Sequence, residues 1–364
     1  MRFPEFTEDW VKYKISNICK IATGNKNTQD KEDDGLYPFY VRSQNVERIN
    51  SWTFDGEAIL TAGDGVGVGK VFHYSLGKIG VHQRVYILSD FNCNGKFLYS
   101  YFSSRFYNRV KRMSAKNSVD SVRMEMIADM PISIPKEREQ IKIGDLLSLL
   151  DQRIATQNKI IEQLQSLIKG ICNKLLYTEN GKQVRLADIL TERTERTREN
   201  NQHEVLSSTI KGIFLQREYF SKDIASENNI GYKVIRLYDI VLSPQNLWMG
   251  NINYNEKYEI GIVSPSYKIF SIKPEYDKKF VAAMLKTHRA LYNYMLVSEQ
   301  GASIVRRNLN MEAFEQLVFK IPPYNKQREI GKTLSVLQTR LELESKIKLD
   351  YEQQKKYLLT EMFI

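Results

Sequence analysis

Residues 134–177 read IPKEREQIKIGDLLSLLDQRIATQNKIIEQLQSLIKGICNKLLY. Residues 321–364 read IPPYNKQREIGKTLSVLQTRLELESKIKLDYEQQKKYLLTEMFI. These two stretches share one sequence motif, and they decide the architecture of the chain. The second stretch follows the first at a constant offset of 187 residues, without a gap. An ungapped register over two long segments favours an internal duplication over two unrelated amphipathic helices. The matching pairs are Ile134/Ile321, Pro135/Pro322, Gln140/Gln327, Ile143/Ile330, Gly144/Gly331, Leu147/Leu334, Ser148/Ser335, Leu150/Leu337 and Arg153/Arg340.

Both stretches have the spacing of a coiled-coil helix, in which apolar residues alternate steps of four and three. Each helix of about 42 residues would be about 60 Å long. If the two pair antiparallel, Gln157 falls near Lys348 and Ile161 near Glu344, and such polar groups could fix the register. The first seam consists of Ile143, Leu147, Leu150, Ile154, Gln157, Ile161, Leu164, Ile168, Ile171 and Leu175. The second consists of Ile330, Leu334, Leu337, Leu341, Tyr351, Leu358 and Met362, interrupted by Glu344, Lys348 and Lys355.

Composition indicates a cytoplasmic protein of more than one domain. A chain of 364 residues is too long for one ordinary core. The formal net charge of +10 favours a polyanionic partner. Cys19, Cys93 and Cys172 are widely spaced and are expected to be reduced thiols. No apolar run is long enough to span a membrane, and the first residues lack the apolar core of a signal peptide.

A globular unit precedes each long helix. Alternating or apolar runs in the first unit predict strands, and a helical pattern follows them. The second unit repeats this order, with residues 280–297 in the place of that helix. The predicted fold class is therefore α+β: two mixed α/β domains, residues 1–133 and 180–320, separated by helices over residues 134–179 and 321–364 that pair as an antiparallel coiled coil with a pseudo-twofold repeat. The predicted strands of the first unit are Tyr37–Val41, Ala58–Thr61, Lys70–Tyr74, Ile79–Val81 and Arg84–Leu88, and its helix is Phe97–Met113.

Stretches that resemble enzyme motifs lack the residues that the chemistry requires. In the glycine-rich run 63–70, Asp64 stands where a P-loop needs Gly, and Val71 after the run stands where it needs Ser or Thr. A strand-like segment follows it instead of a helix. A tight loop between strands is the better interpretation. Ile321 stands where an amino-methyltransferase motif needs Asn or Asp. The four histidines, His73, His82, His203 and His288, show no metal-ligand spacing. We therefore expect no catalysis by this chain alone, and no cofactor or metal bound by it.

The two units, the two repeated helices and the phrase IP-x(4)-Q…IG…L…L…R resemble the specificity (S) subunit of type I restriction–modification systems. The resemblance covers the whole chain in architecture, and the helix entrances carry its specific motif. It implies that each unit reads one half of a split double-stranded DNA sequence. It further implies that the helices set the spacing between the halves and dock two methyltransferase (M) subunits, which bind S-adenosylmethionine and methylate adenine. Restriction (R) subunits, which use ATP and Mg²⁺, would join to translocate and cleave DNA.

Polar and basic side chains on predicted loops are the candidates for contacting DNA. Base edges are read by hydrogen bonds, for which Asn and Gln suit adenine and Arg suits guanine, while Lys and Arg hold the phosphates. Any single one of these side chains could equally be a solvated surface residue, so the loops are stronger candidates than their members. The candidates are Arg42, Ser43, Gln44, Asn45, Lys70, His82, Gln83, Arg84, Lys116 and Asn117 in the first unit, and Ser243, Gln245, Asn246, Trp248, Arg306, Arg307 and Asn308 in the second.

Three other functions remain open from the sequence. A recognition subunit of a related system with fused methylase and nuclease would look alike. A coiled-coil scaffold with two domains that do not bind DNA would differ by showing no salt-dependent binding to a bipartite duplex. An isolated enzyme would bind S-adenosylmethionine or ATP as the purified chain.

Overall fold

The structure is a computed structural model that describes residues 2–114, 121–175, 181–219, 228–300 and 307–363. The chain divides into two compact units, one formed by residues 1–159 with 346–364 and the other by residues 160–345. Each long helix contributes residues to both units. None of the helices within the described ranges is long and apolar enough to cross a membrane.

The first unit is built on a six-stranded sheet in the order β2-β7-β5-β6-β3-β4, in which only the β3–β6 pairing is parallel. A separate two-stranded ladder, β1–β8, leads into the first long helix. The elements are β1 (Val11–Lys14), β2 (Lys20–Thr23), β3 (Tyr37–Tyr40), β4 (Glu47–Ile49), β5 (Phe54–Ala62), β6 (Phe72–Val81), β7 (Val85–Ser89), α1 (Gly95–Met113), α2 (Met124–Ala128), β8 (Pro131–Ile134) and the long helix α3 (Glu137–Leu175).

The second unit repeats this order around a four-stranded sheet, β10-β17-β14-β15, with a ladder β9–β20 before its long helix. Its central strand β14 lies between antiparallel neighbours, as β5 does in the first unit. The elements are β9 (Lys182–Arg185), α4 (Leu186–Ile189), β10 (Leu190–Arg193), β11 (Leu206–Thr209), β12 (Gly212–Leu215), α5 (Gln216–Tyr219), β13 (Lys233–Arg236), β14 (Ile240–Leu242), β15 (Ile252–Tyr254), β16 (Ile260–Val263), β17 (Lys268–Ile272), α6 (Lys278–Leu285), α7 (His288–Leu296), β18 (Ser298–Gln300), β19 (Arg307–Leu309), α8 (Met311–Glu315), β20 (Val318–Ile321) and α9 (Tyr324–Met362).

Two details differ from the sequence-based expectation. The runs predicted as separate strands at Lys70–Tyr74 and Ile79–Val81 belong to the single strand β6, except that Lys70 and Val71 precede it. The strand continues between the two runs because Gly77 pairs with Gly56 of β5, with φ of 88° and 141°. The helix expected over residues 280–297 is two helices, α6 and α7. Thr287 interrupts it, because its side chain accepts a hydrogen bond from Ala290 N and caps α7.

Each hydrophobic core takes the first turns of one long helix and the last turns of the other. In the first unit, Ile143 and Leu147 of α3 pack with α1 residues such as Phe97, and so do Met362 and Phe363 at the end of α9. In the second unit, the core contains Ile330 and Leu334 of α9 and Phe280 of α6, with Ile168, Ile171 and Cys172 of α3 packed against it.

The repeated Gln and Gly attach α3 to the start of α1. Gln140 Oε1 accepts a hydrogen bond from Asn94 N at 2.8 Å, and its Nε2 donates to Pro135 O at 2.7 Å. Asn94 caps α1 by accepting from Phe97 N. A Cβ at Gly144 would lie 2.8 Å from Asn94 Oδ1 and 2.9 Å from Phe97 N. The close approach of the two helices therefore requires glycine at this position.

The second copy makes the same contacts. Gln327 Oε1 accepts from Asp277 N at 3.0 Å and its Nε2 donates to Pro322 O at 2.9 Å. Asp277 caps α6 through Phe280 N, and a Cβ at Gly331 would lie 2.5 Å from Asp277 Oδ1. The motif thus encodes one helix-docking joint, built twice.

The predicted seam residues within the described side chains are buried or half-buried. Ile143, Leu147, Leu150, Ile330 and Leu334 are buried, whereas Ile154, Ile161, Leu164, Ile168, Leu337, Leu341 and Leu358 are half-buried. Within the first unit, α3 and α9 contact each other through an ion pair between Asp151 and Lys355 and a hydrogen bond from Arg153 Nη1 to Tyr351 Oη at 3.4 Å.

Candidate nucleic-acid interface

An open cleft of about 490 Å³ in the first unit gathers loops that are distant in sequence. Backbone hydrogen bonds from Asn25 and Lys26 to Val81 O bring the segment after β2 across to the end of β6. The turn between β6 and β7 and the loops after β3 and β5 complete the site. Its lining residues are Asn27, Thr28, Gln29, Arg42, Asp64, His82, Gln83 and Arg84.

Asp64 holds two arginines at this cleft. Arg42 Nη1 lies 2.8 Å from Asp64 Oδ1, and Arg84 Nε lies 3.6 Å from Asp64 Oδ2. Both arginine side chains stay accessible, at 45% and 65% exposure, while Asp64 is 28% exposed. The cleft therefore presents cationic donors beside a carboxylate acceptor, which suits a ligand with acceptors and donors on one edge.

The glycine-rich loop allows this arrangement. As the sequence indicates, residues 63–71 connect two strands, β5 and β6. A Cβ at Gly67 would lie 2.4 Å from Arg42 O, so only glycine lets the two segments approach. Gly65 and Gly69 have φ of 79° and 63°, which favour glycine. Val66, at the tip between them, is 99% exposed.

His82 organises the turn before β7. Its Nδ1 accepts from Arg84 N at 3.0 Å, so Nε2 carries the proton and faces Thr28 Oγ1 at 3.3 Å. Burial lowers the pKa of His82, and the Arg42 charge lowers it further. Gln83 Nε2 donates to Asn27 Oδ1 at 2.6 Å. Asn27 and Thr28 were not among the sequence candidates, because their place depends on strand pairings that no local pattern encodes.

Other candidates of the first unit lie outside this lining. Ser43 O is hydrogen-bonded to His73 Nε2 at 3.1 Å, and Ser43 Oγ donates to Asn45 O, so this turn is ordered next to Arg42. Gln44 is exposed in the same turn. Lys70 lies over the Tyr107 ring, 5.2 Å from its centroid. The candidates Lys116 and Asn117 fall outside the described residues.

In the second unit, the loop after β14 occupies the place of the glycine-rich loop. The Arg307 guanidinium lies 5.0 Å from the centroid of the Trp248 ring, and Arg307 N donates to Gln245 O at 3.1 Å. Asn246 N donates to Ser243 O and forms a turn. The stacked arginine is held in place by this cation–π contact. Asn308 lies beside it in the β18–β19 ladder, opposite Glu299, and the candidate Arg306 lies outside the described residues.

The two units share one construction at these sites. In the first, Val122 N donates to Gly63 O at 2.7 Å; in the second, Arg307 N donates to Gln245 O at 3.1 Å. In each, the loop after the central strand is tied to the segment that precedes the short helix, α2 or α8. Among the described residues, no group of His, Cys, Asp or Glu could hold a metal ion.

The chain thus contains two β-rich units, each presenting polar and basic loops and each joined to a long helix by the same Gln–Gly joint. The chain belongs to the family of type I restriction modification DNA specificity domains, whose model matches residues 7–166 and 179–353.

Individual relatives agree with this family. The type I restriction enzyme EcoDI specificity subunit of Escherichia coli is 26% identical over 174 residues, which are 48% of this chain and 38% of the relative. The MjaVIII specificity subunit of Methanocaldococcus jannaschii is 30% identical over 181 residues, which are 46% of this chain and 42% of the relative. The matches thus span about two-fifths of the length of these curated relatives.

Solved structures share the fold. The S subunit of a type I restriction–modification system from M. genitalium superposes with a TM-score of 0.70 at 15% identity, covering 100% of this chain and 97% of that one. A chain from a structure of type I R-M complex assembly and conformational transition gives a TM-score of 0.50 at 11% identity, covering 99% and 98%.

Proposed function

We propose that this chain reads a bipartite double-stranded DNA sequence, one half-site per unit. The observation that carries the proposal is the repeated site, in which arginine from another segment lies against the loop after the central strand in both units. Arg42 and Arg84 in the first unit and Arg307 in the second are held by neighbours yet reach the surface. Arginine with two parallel N–H groups is the side chain best suited to guanine in the major groove.

The charge of the chain supports DNA as the ligand. A net charge of +10 supplies phosphate contacts that carry no sequence information, while the loops supply base contacts. Gln83 and Asn27 are hydrogen-bonded to each other, and their remaining polar atoms add donors and acceptors for base edges. A scaffold with two domains that do not bind DNA would need neither feature.

The two long helices act, in this proposal, as an antiparallel coiled coil that sets the distance between the half-sites. Each core contains the first turns of one helix and the last turns of the other, which supports opposite directions. The Asp151–Lys355 and Arg153–Tyr351 contacts support one antiparallel register. If this register continues along both helices, we expect Gln157 beside Lys348, in the polar middle of the seam.

The catalytic steps of the system belong to partners in this proposal. Two M subunits dock on the helices, bind S-adenosylmethionine and methylate adenine, and R subunits use ATP and Mg²⁺ to translocate and cleave DNA. This chain supplies recognition and assembly. A recognition subunit of a fused methylase–nuclease system is the second candidate, since it would use the same two units and helices.

The test is binding of the full chain, assembled with its M subunit, to a pool of duplexes with random sequence. We expect enrichment of a split sequence, with an affinity that falls steeply as salt rises. Arg42→Ala should relax the first half only and Arg307→Ala the second half only. Arg236→Ala is the matched control, because Arg236 forms an exposed ion pair with Glu195 and neither lines the first-unit cleft nor forms the Trp248–Arg307 contact. Weak, salt-independent binding without enrichment would favour the scaffold function instead.

A further inference from the structure

We infer that Arg42 and Asp64 together read one G·C base pair in the major groove, within the half-site assigned to the first unit. Arg42 contacts guanine and Asp64 accepts a hydrogen bond from the cytosine amino group. The inference rests on the proposed function and adds to it the identity of a base pair and a specificity-determining role for Asp64.

The first step is the order of donors and acceptors. Guanine presents the acceptors N7 and O6 side by side, and the paired cytosine presents the donor N4–H₂ next to O6. Arg42 offers two parallel donors, and Asp64 Oδ1 offers an acceptor directly beside them. The protein thus presents two arginine donors followed by one aspartate acceptor. This order complements the G·C pair, which presents the acceptors N7 and O6 followed by the donor N4–H₂.

The second step is spacing. Guanine O6 and cytosine N4 are hydrogen-bonded to each other in the base pair, so they are about 2.9 Å apart. Arg42 Nη1 and Asp64 Oδ1 are 2.8 Å apart. Arg84 Nε is 3.6 Å from Asp64 Oδ2, beyond hydrogen-bond distance, so Arg84 is not part of this row.

An A·T pair fits the row less well. Adenine N6, a donor, lies between the acceptors N7 of adenine and O4 of thymine. The arginine fork would therefore meet a donor where guanine offers O6.

The third step is that the two side chains are already hydrogen-bonded to each other, on an ordered backbone, before DNA binds. Gly67 lets the Arg42 backbone pack under the loop that carries Asp64, and Asp64 is tied by an isolated backbone bridge to Ser121. Binding then loses little side-chain entropy, and the carboxylate repels phosphates that approach out of register.

The experiment uses the full chain with its M subunit and compares wild type with Asp64→Ala on the random duplex pool. Wild type should prefer one G·C pair in the first half-site by about 10- to 100-fold. Asp64→Ala should lower that preference by about tenfold and leave the other half-site unchanged. Its binding to unrelated duplex should be equal or tighter, because a negative charge is removed. Asp90→Asn is the control: it removes a carboxylate from the exposed Lys20–Asp90 pair, and Asn suits its φ of 52°.

A modified base isolates the Asp64 contact. N4-methylcytosine at that pair keeps base pairing but replaces the amino hydrogen in the major groove. Wild type should lose about tenfold in affinity on this duplex, and Asp64→Ala should lose little. The inference is overturned if Asp64→Ala keeps every preference, changes an A·T position instead, or weakens binding to all duplexes alike. If wild type selects no sequence at all, the proposed function itself is wrong.

Discussion

The substitution Gly144→Ala should lower the free energy of unfolding of the chain, although alanine favours helix formation more than glycine does. Gly144 lies inside the 39-residue helix α3, where the helix approaches the N-terminus of α1. Its added Cβ would meet Asn94 Oδ1 at 2.8 Å and Phe97 N at 2.9 Å, closer than carbon packs against either atom. Phe97 N belongs to the backbone of α1 and cannot rotate away. The helices must therefore separate, or the cap must break.

The expected size follows from three terms. Overpacking of this kind costs about 1–3 kcal/mol, and a weakened N-cap about 1 kcal/mol. Replacing glycine by alanine within a helix returns about 1 kcal/mol. Gly144→Ala should therefore lower the free energy of unfolding by about 1–3 kcal/mol. At Gly170, in the same helix, an added Cβ would have no neighbouring atom within 4 Å, so Gly170→Ala should raise it by about 1 kcal/mol.

Urea unfolding of the two variants and the wild-type chain, followed by far-ultraviolet circular dichroism, measures both values. The opposite signs are the decisive feature, since the two substitutions are chemically identical and share a helix. If Gly144→Ala were as stabilising as Gly170→Ala, the close docking of α3 on α1 would be wrong.

Three further outcomes are expected. Leu150→Asp buries a carboxylate in the seam and should lower the unfolding free energy by several kcal/mol, measured by urea unfolding; an unchanged midpoint would remove Leu150 from the seam. Insertion of one heptad after Gln157 and one after Glu344 should lengthen the DNA spacer between the half-sites by about three base pairs, since seven helical residues add about 10 Å. The spacer length is measured from the selected sequences. An unchanged spacer would contradict the proposal that the helices set the distance between the half-sites. Burial lowers the pKa of His73 in the folded chain below the ordinary 6.5. As the pH falls, His73 is therefore protonated in the unfolded chain before it is protonated in the folded chain. The unfolding free energy should therefore be flat above about pH 6.5 and fall below it, and His73→Gln should reduce that fall; an equal fall would exclude His73 as its source.

The sequence predicts the repeated order of globular unit and long helix because local sequence patterns determine that order. The helix starts follow Pro135 and the Pro322–Pro323 pair, and the helices begin at Glu137 and Tyr324. The glycine-rich loop was also predicted as a connection between strands. The sequence could not predict the role of Gln140 and Gln327. Each side chain accepts a hydrogen bond from the N-cap residue of a helix that lies about 50 residues earlier in the chain.

The candidate site was predictable only in part, for the same reason. Arg42 and the turn from His82 to Arg84 were chosen as loop residues, but their meeting at Asp64 depends on pairings among β2, β5, β6 and β7. In the sequence, Asp64 departs from the P-loop pattern, and no other local pattern marks it. The signal that marks Asp64 is a carboxylate among glycines in a loop between strands, and it lies outside the pattern of basic residues that indicates DNA binding.

The most direct test of the account is an exchange of residues 1–133 for the corresponding unit of another family member, followed by mapping of the methylated sequences in cells that also contain the M subunit. Two self-contained reading units predict that one half of the methylated sequence changes to that of the donor, while the other half and the adenine methylation remain. A change in both halves, or in neither, would contradict the assignment of one half-site to each unit.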